Sequence, residues 1–145
     1  MKKLILLLSL FASVHVFAQT ETELANAFLK SVQDKNFDLL KPWLGPNVKI
    51  MRQKWQKIVN NAHRQGFDIK DVKIKEVLPG RQIPDLPVKS IIAVYKYDGK
   101  EWDDLLLMIT TDEKIKLAEI PLTSYMFTLN EERRGKNIKD SKRKN

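Results

Sequence analysis

Asp104 and Glu119 are the two residues whose settings could support proton-transfer chemistry. Trp102 and Leu106 stand two positions either side of Asp104, and Leu117 stands two before Glu119. A carboxylate on an apolar, half-covered face is harder to ionise. The raised pKa that results is what a general base or acid needs near neutral pH. With Tyr95, Trp102, Leu106 and Met108 beside them, the two carboxylates outline a candidate ligand pocket, mostly apolar with a few convergent polar groups. The plainer alternative places Trp102 and Asp104 in water near a hairpin end and Glu119 on a sheet rim.

Other chemistries lack their residues. The chain has no cysteine and two histidines, His15 and His63. A nucleophile–histidine relay needs a histidine oriented by a carboxylate, and His63 reads instead as a residue on the flank of a helical stripe. Zinc wants several Cys or His ligands, so no metal is expected. The five glycines are isolated, which leaves no phosphate-cradling loop and no sign of a cofactor.

The pocket depends on a sheet, and the sheet on one turn. Ser90 to Ile120 reads as three antiparallel strands. Asp98-Gly99 lies between two β-rich runs, and a two-residue Asp-Gly loop favours a type I′ hairpin because both residues tolerate positive φ. That turn sets Tyr97 opposite Lys100, Lys96 opposite Glu101, Tyr95 opposite Trp102, Ala93 opposite Asp104 and Ile91 opposite Leu106. Asp112-Glu113 closes a second hairpin in the same way, with Leu106 opposite Glu119, Met108 opposite Leu117 and Thr110 opposite Ile115. Alternation then puts Ile91, Ala93, Tyr95, Trp102, Asp104, Leu106, Met108, Thr110, Ile115, Leu117 and Glu119 on one face. The other face carries Ile92, Val94, Lys96, Leu105, Leu107, Ile109, Lys116, Ala118 and Ile120. Leu105 to Ile109 is apolar on both sides, so both faces want cover. Helices can cover one face, and a second copy of the chain is expected on the other, through Ile92, Val94, Leu105, Leu107 and Ile109.

The cover for the first face comes earlier in the chain. Thr20 and Glu23 have capping-box spacing, and a helix follows to about Lys35 with Leu24, Ala27, Phe28, Ser31 and Val32 on one face. A short helical piece, Phe37 to Leu44, contains Pro42 and ends at Gly45-Pro46. From Val48, the residues Met51, Trp55, Ile58, Val59 and Ala62 recur at helical spacing, with Gly66 as the stop. Val48 to Ile50 could equally open as a short strand. Phe67 to Leu78 alternates with one slip and reads as a strand with a bulge near Lys70-Asp71, closed by Pro79-Gly80. Arg81 to Val88 reads as a loop. After Pro121, a last strand or flap would carry Tyr125 and Phe127 on one face.

The two ends stand apart from this single domain, residues 19–130. Lys2 and Lys3 precede a short apolar run that ends at Val16-Phe17-Ala18, the pattern of a secretory leader over Met1 to Ala18. The run falls short of the roughly 20 residues that span a bilayer. An uncleaved anchor is the alternative. The expected destination is the periplasm or the exterior, with no membrane span once the leader is removed. Without a cysteine there is no lipid attachment site and no disulfide, so packing alone must hold the core. The net charge is +8, and Glu131 to Asn145 holds seven Lys or Arg against three acids. The basicity is mostly a tail of the kind that stays solvated. Export argues against nucleic acid as its partner.

The order of a capped helix, a short proline-containing helix, a third amphipathic helix and a curved antiparallel sheet resembles the NTF2-like superfamily, the cone-shaped α+β fold also described as cystatin-like. The resemblance is carried by the run from Leu24 to Leu44, a helix, a polar turn at Lys35-Asn36, then Phe37-Asp38-Leu39-Leu40, and extends weakly to about Phe127. It implies helices packed in the concave face of the sheet and a cavity at the open end. The superfamily includes isomerase-like and dehydratase-like enzymes and many non-catalytic binding modules. Its enzymes generally use an Asp–His or Asp–Tyr arrangement inside the cone, and His63 does not lie on a pocket-facing strand. The expected function is therefore an exported, non-catalytic module that binds a small-molecule or protein ligand, dimeric through the sheet. The alternative is a pocket enzyme of acid–base type using Asp104 or Glu119.

Overall fold

A computed structural model of the chain describes residues 20–64 and 68–122. The leader, the expected helix stop at Gly66, the last strand with Tyr125 and Phe127, and the basic tail lie outside the described residues.

Residues 20–33 form the first helix, α1. It stops in a Schellman motif: the N–H of Asn36 donates to Ser31 O at 2.8 Å and that of Lys35 to Val32 O at 3.4 Å. Lys35 takes the left-handed conformation, φ 53°, which this stop requires. The side chain of Asn36 then accepts from the N–H of Asp38 and starts a 3-10 helix, Phe37–Trp43. Pro42 is compatible with that tighter, short helix. Val48–Ala62 is α2 throughout, so Val48 to Ile50 is helical rather than extended.

The sheet has four antiparallel strands in the order β1-β2-β3-β4: Lys73–Gln82, Val88–Tyr97, Lys100–Thr110 and Leu117–Glu119. β1 departs from expectation at both ends. It begins later, because Ile69–Asp71 forms a single 3-10 turn, and it runs through Pro79-Gly80 to Gln82. A proline lacks a ladder donor, but β1 is an edge strand and tolerates it at an irregularity between Pro79 and Gln82.

The β2–β3 hairpin follows the expected register from Tyr97↔Lys100 to Ala93↔Asp104. Asp98 and Gly99 have φ of 48° and 69°, the positive values of the expected turn. A shift between Ile91 and Ile92 then corrects the rest: Ile92 pairs with Leu105 and Ile91 with Leu107, not Leu106. Alternation changes sides at that bulge. Leu107 and Ile109, expected on the outer face, are fully buried in the core. Met108, expected inside, is paired with Ser90 and only half-buried.

The second hairpin is longer than expected. The N–H of Thr110 reaches Lys116 O at 2.8 Å and the N–H of Lys116 returns to the Thr110 hydroxyl at 2.9 Å. Met108 therefore pairs with Glu119 and Ile109 with Leu117.

The helices pack on one face of the sheet, an α+β arrangement with a shared core. Leu24, Phe28 and Val32 of α1 and Met51, Trp55, Ile58 and Val59 of α2 meet Ile91, Ala93, Tyr95, Leu106, Leu107 and Ile109. Polar clasps hold the periphery. Glu21 pairs with Lys89 at the start of β2. Gln33 Nε2 donates to Ile69 O at 3.0 Å and Val72 O at 2.9 Å. Among the described residues, no helix is long and apolar enough to cross a membrane.

Candidate functional site

Two places compare as sites. The first is the sheet face singled out from the sequence. Tyr95 is register partner to Trp102 and Ala93 to Asp104, which puts Tyr95 and Asp104 on the same face. Both are buried, Tyr95 at 0 % and Asp104 at 6 % exposure, with Leu106 at 1 % beside them in the core. Burial, and next the charge of Asp104, push ionisation of the Tyr95 phenol well above its ordinary value. Two other members of the set, Met108 and Glu119, lie apart from this pair. Met108 is displaced by the bulge, and Glu119, at the end of β4, is ion-paired with Lys54 of α2. Glu119 thus ties β4 to a helix.

A general base must come within hydrogen-bond reach of its substrate. Tyr95 belongs to the same core cluster as Ile91, Ala93 and Leu106, none more than 1 % exposed, and Asp104 is buried at 6 % exposure. The pair is a polar element of the core. Among the described residues, no three His, Asp or Glu side chains are grouped to hold a metal ion.

The second place is a cleft of about 660 Å³ between α2 and the turn that joins α1 to the 3-10 helix. It is large enough for a small-molecule ligand. Lys35, Asn36, Phe37 and Asp38 form one wall. The other is α2, where Arg52, Gln56 and Asn60 recur every four residues along one ridge, with Arg64 in the turn just beyond its end. Trp55 and Val59 lie at its base, and His63 completes it.

Each wall is fixed by its own contacts. The Phe37 and Trp55 rings meet edge to face, centroids 5.2 Å apart at 62°. The indole N–H of Trp55 donates to Ser31 Oγ at 2.9 Å. The Arg52 guanidinium lies 4.3 Å from the Phe37 ring centroid, a cation–π contact. Asp38 stands 3.8 Å from Arg52 and 3.0 Å from Lys41. His63 Nε2 is 2.9 Å from Val32 O, and since a carbonyl only accepts, Nε2 carries the proton.

No family model, curated protein or solved structure matches this chain. The chemistry of the cleft has to be read from its own residues.

Its lining was only partly visible in the sequence. The four-residue spacing from Arg52 to Arg64 is there, but it reads as the wet side of an amphipathic helix. His63 reads as a boundary residue, which agrees with its backbone contact. What turns the ridge into a cleft is the Schellman stop at Lys35, which swings Asn36 to Asp38 across from it.

Proposed function

We propose that this chain is a small exported binding module of the NTF2-like kind, without catalysis, whose ligand enters the cleft between α2 and the Lys35–Asp38 turn. The contrast between the two places carries the reading. Tyr95 and Asp104 are sealed inside the core, whereas the cleft is open, of ligand size, and lined by exposed polar side chains. A binding protein needs fixed polar groups at an accessible concavity, and these walls are braced from behind by Trp55 and Phe37. The order of helices followed by an antiparallel sheet supports the family resemblance. The leader-like residues from Lys2 to Ala18 support export.

Association of two copies through the outer sheet face remains part of the proposal, on a smaller patch. With Leu107 and Ile109 in the core, the patch centres on Ile92, its β1 partner Leu78 at 38 % exposure, and Val94. Sedimentation at tens of micromolar tests it, with a dimer expected for the native chain and a monomer for Leu78→Glu.

Ligand screening by thermal shift tests the cleft. Asn60 is exposed on the ridge, so Asn60→Trp fills the cleft and leaves the core untouched. A compound that stabilises the native chain and not Asn60→Trp supports the reading. Equal stabilisation of both places the site elsewhere and overturns it.

A further inference from the structure

We infer that the cleft is selective for a small hydroxylated carboxylate, an organic acid or acidic sugar, which rests on the cleft being the ligand site. Three cationic residues, Lys35, Arg52 and Arg64, line it against one acid, Asp38. Asp38 is shared between Lys41 at 3.0 Å and Arg52 at 3.8 Å, so a single carboxylate faces more than one cation and the cleft keeps an excess of positive charge. Arg52 lies 3.8 Å from Asp38, beyond hydrogen-bond length, and its side chain is 56 % exposed. Its guanidinium is held 4.3 Å from the Phe37 ring centroid, while the side chain stays accessible to a ligand. A planar fork of donors held in this way matches a carboxylate with two parallel hydrogen bonds.

The amides add the second requirement. Gln56 Nε2 donates to Asn60 Oδ1 at 3.1 Å. That bond fixes both side chains and leaves the Gln56 carbonyl as acceptor and the Asn60 amide as donor, the pair that a hydroxyl group satisfies. Phe37 and Trp55 are 3 % exposed, so neither offers a ring face for a flat apolar ligand to stack on.

Position along the helix argues for carboxylate over phosphate. The cleft runs from Arg52 to His63 at the C-cap of α2, so the negative end of the helix dipole meets it and opposes a compact dianion more than a single carboxylate, which the side-chain cations must outweigh. Compact dianions favour the opposite end, where free backbone N–H groups converge. On the α2 wall the donors are side chains, Arg52 and the Asn60 amide.

Titration calorimetry on the full chain tests this with galacturonate and gluconate as probes, galactose as the neutral control and inorganic phosphate as the plain anion. Both acids should bind at least about tenfold more tightly than galactose or phosphate. Arg52→Gln should weaken them about ten- to a hundredfold, the usual loss of a hydrogen bond to a charged group. Lys35→Asn should weaken them too, while keeping the turn, because Asn tolerates positive φ. Lys73→Gln, an exposed charge on β1, should change nothing. Galactose binding as well as galacturonate, lost in Asn60→Trp, would overturn the acid assignment and leave the cleft as the site. Phosphate binding best would overturn the choice of carboxylate. Silence from all four probes would overturn this inference, and the screen against Asn60→Trp would then decide the cleft separately.

Discussion

The indole of Trp55 and the hydroxyl of Ser31 are joined inside the core by a 2.9 Å hydrogen bond that locks α2 to α1. The Ser31 hydroxyl in turn donates a hydrogen bond to Phe28 O at 2.7 Å, so one buried oxygen both donates and accepts. Ser31 is at 0 % exposure and Trp55 at 3 %. The chain uses this polar contact to fix the base of the cleft from behind.

Replacing Ser31 by Ala deletes the acceptor and leaves the Trp55 N–H buried without it. That should destabilise the fold by about 1–3 kcal/mol, the desolvation penalty of an unsatisfied donor. Urea unfolding followed by tryptophan emission measures it. Ser31→Thr keeps the hydroxyl and should lose less. If both substitutions are equally damaging, volume rather than the hydrogen bond sets the cost.

Gly80 is held against Ser90 by a close approach of β1 to β2. A Cβ at Gly80 would lie 2.0 Å from Ser90 Oγ and 2.6 Å from Ser90 O. The Ser90 hydroxyl is there because it accepts from the N–H of Arg81 at 2.9 Å, within the irregular stretch after Pro79. Gly80→Ala should therefore lower stability by about 1–3 kcal/mol, the range for overpacking. A methyl group at Gly45 would meet nothing within 4 Å, so Gly45→Ala is the matched control and should be nearly neutral. A shift of the urea midpoint for Gly80→Ala alone, with unchanged slope, is the expected result. Equal midpoints for the two variants would mean that the edge strand yields freely.

The same two strands show where sequence reasoning reaches and where it stops. Asp98-Gly99 announces its turn by residue type, and the pairs from Tyr97↔Lys100 to Ala93↔Asp104 follow from it alone. The bulge at Leu106 has no such marker. Leu105, Leu106 and Leu107 are chemically identical, so alternation in that run satisfies either register, and only packing on the helices selects one. Pro79 reads as the end of a strand because an interior strand would reject it. That β1 is an edge is a property of the assembled sheet. The cleft was the least legible feature, because its walls meet only after α1 has stopped and turned.

Glu119 and Lys54 form an ion pair that spans from β4 to α2, with side chains 38 % and 29 % exposed. Partial exposure limits its value. A double-mutant cycle with Glu119→Gln and Lys54→Met should give a coupling below about 1 kcal/mol. The coupling should shrink as salt is raised, because solvent-exposed charges are screened. A coupling that is large and indifferent to salt would show that the pair is shielded in solution, and would return Glu119 to consideration as a functional carboxylate.

Tyr95 gives the fold an alkaline limit. Burial, followed by the Asp104 charge, raises its folded pKa well above the ordinary 10.0. Below pH 10 the phenol is protonated in both states, and the contribution of this site is fully present. Above it, the unfolded chain releases the proton while the folded chain holds it. The unfolded state then binds fewer protons, and stability falls as pH rises. The slope from this one site approaches about 1.4 kcal/mol per pH unit until the folded pKa is reached. Lysines add their own alkaline terms, so the readout is the difference between the native chain and Tyr95→Phe, unfolded in urea from pH 8 to 11 (roughly the span over which phenols titrate). Tyr95→Phe should remove that part of the slope. Identical slopes would mean that Tyr95 ionises as freely folded as unfolded. Water would then reach the Tyr95–Asp104 pair, and the sheet face would again compete with the cleft as the site.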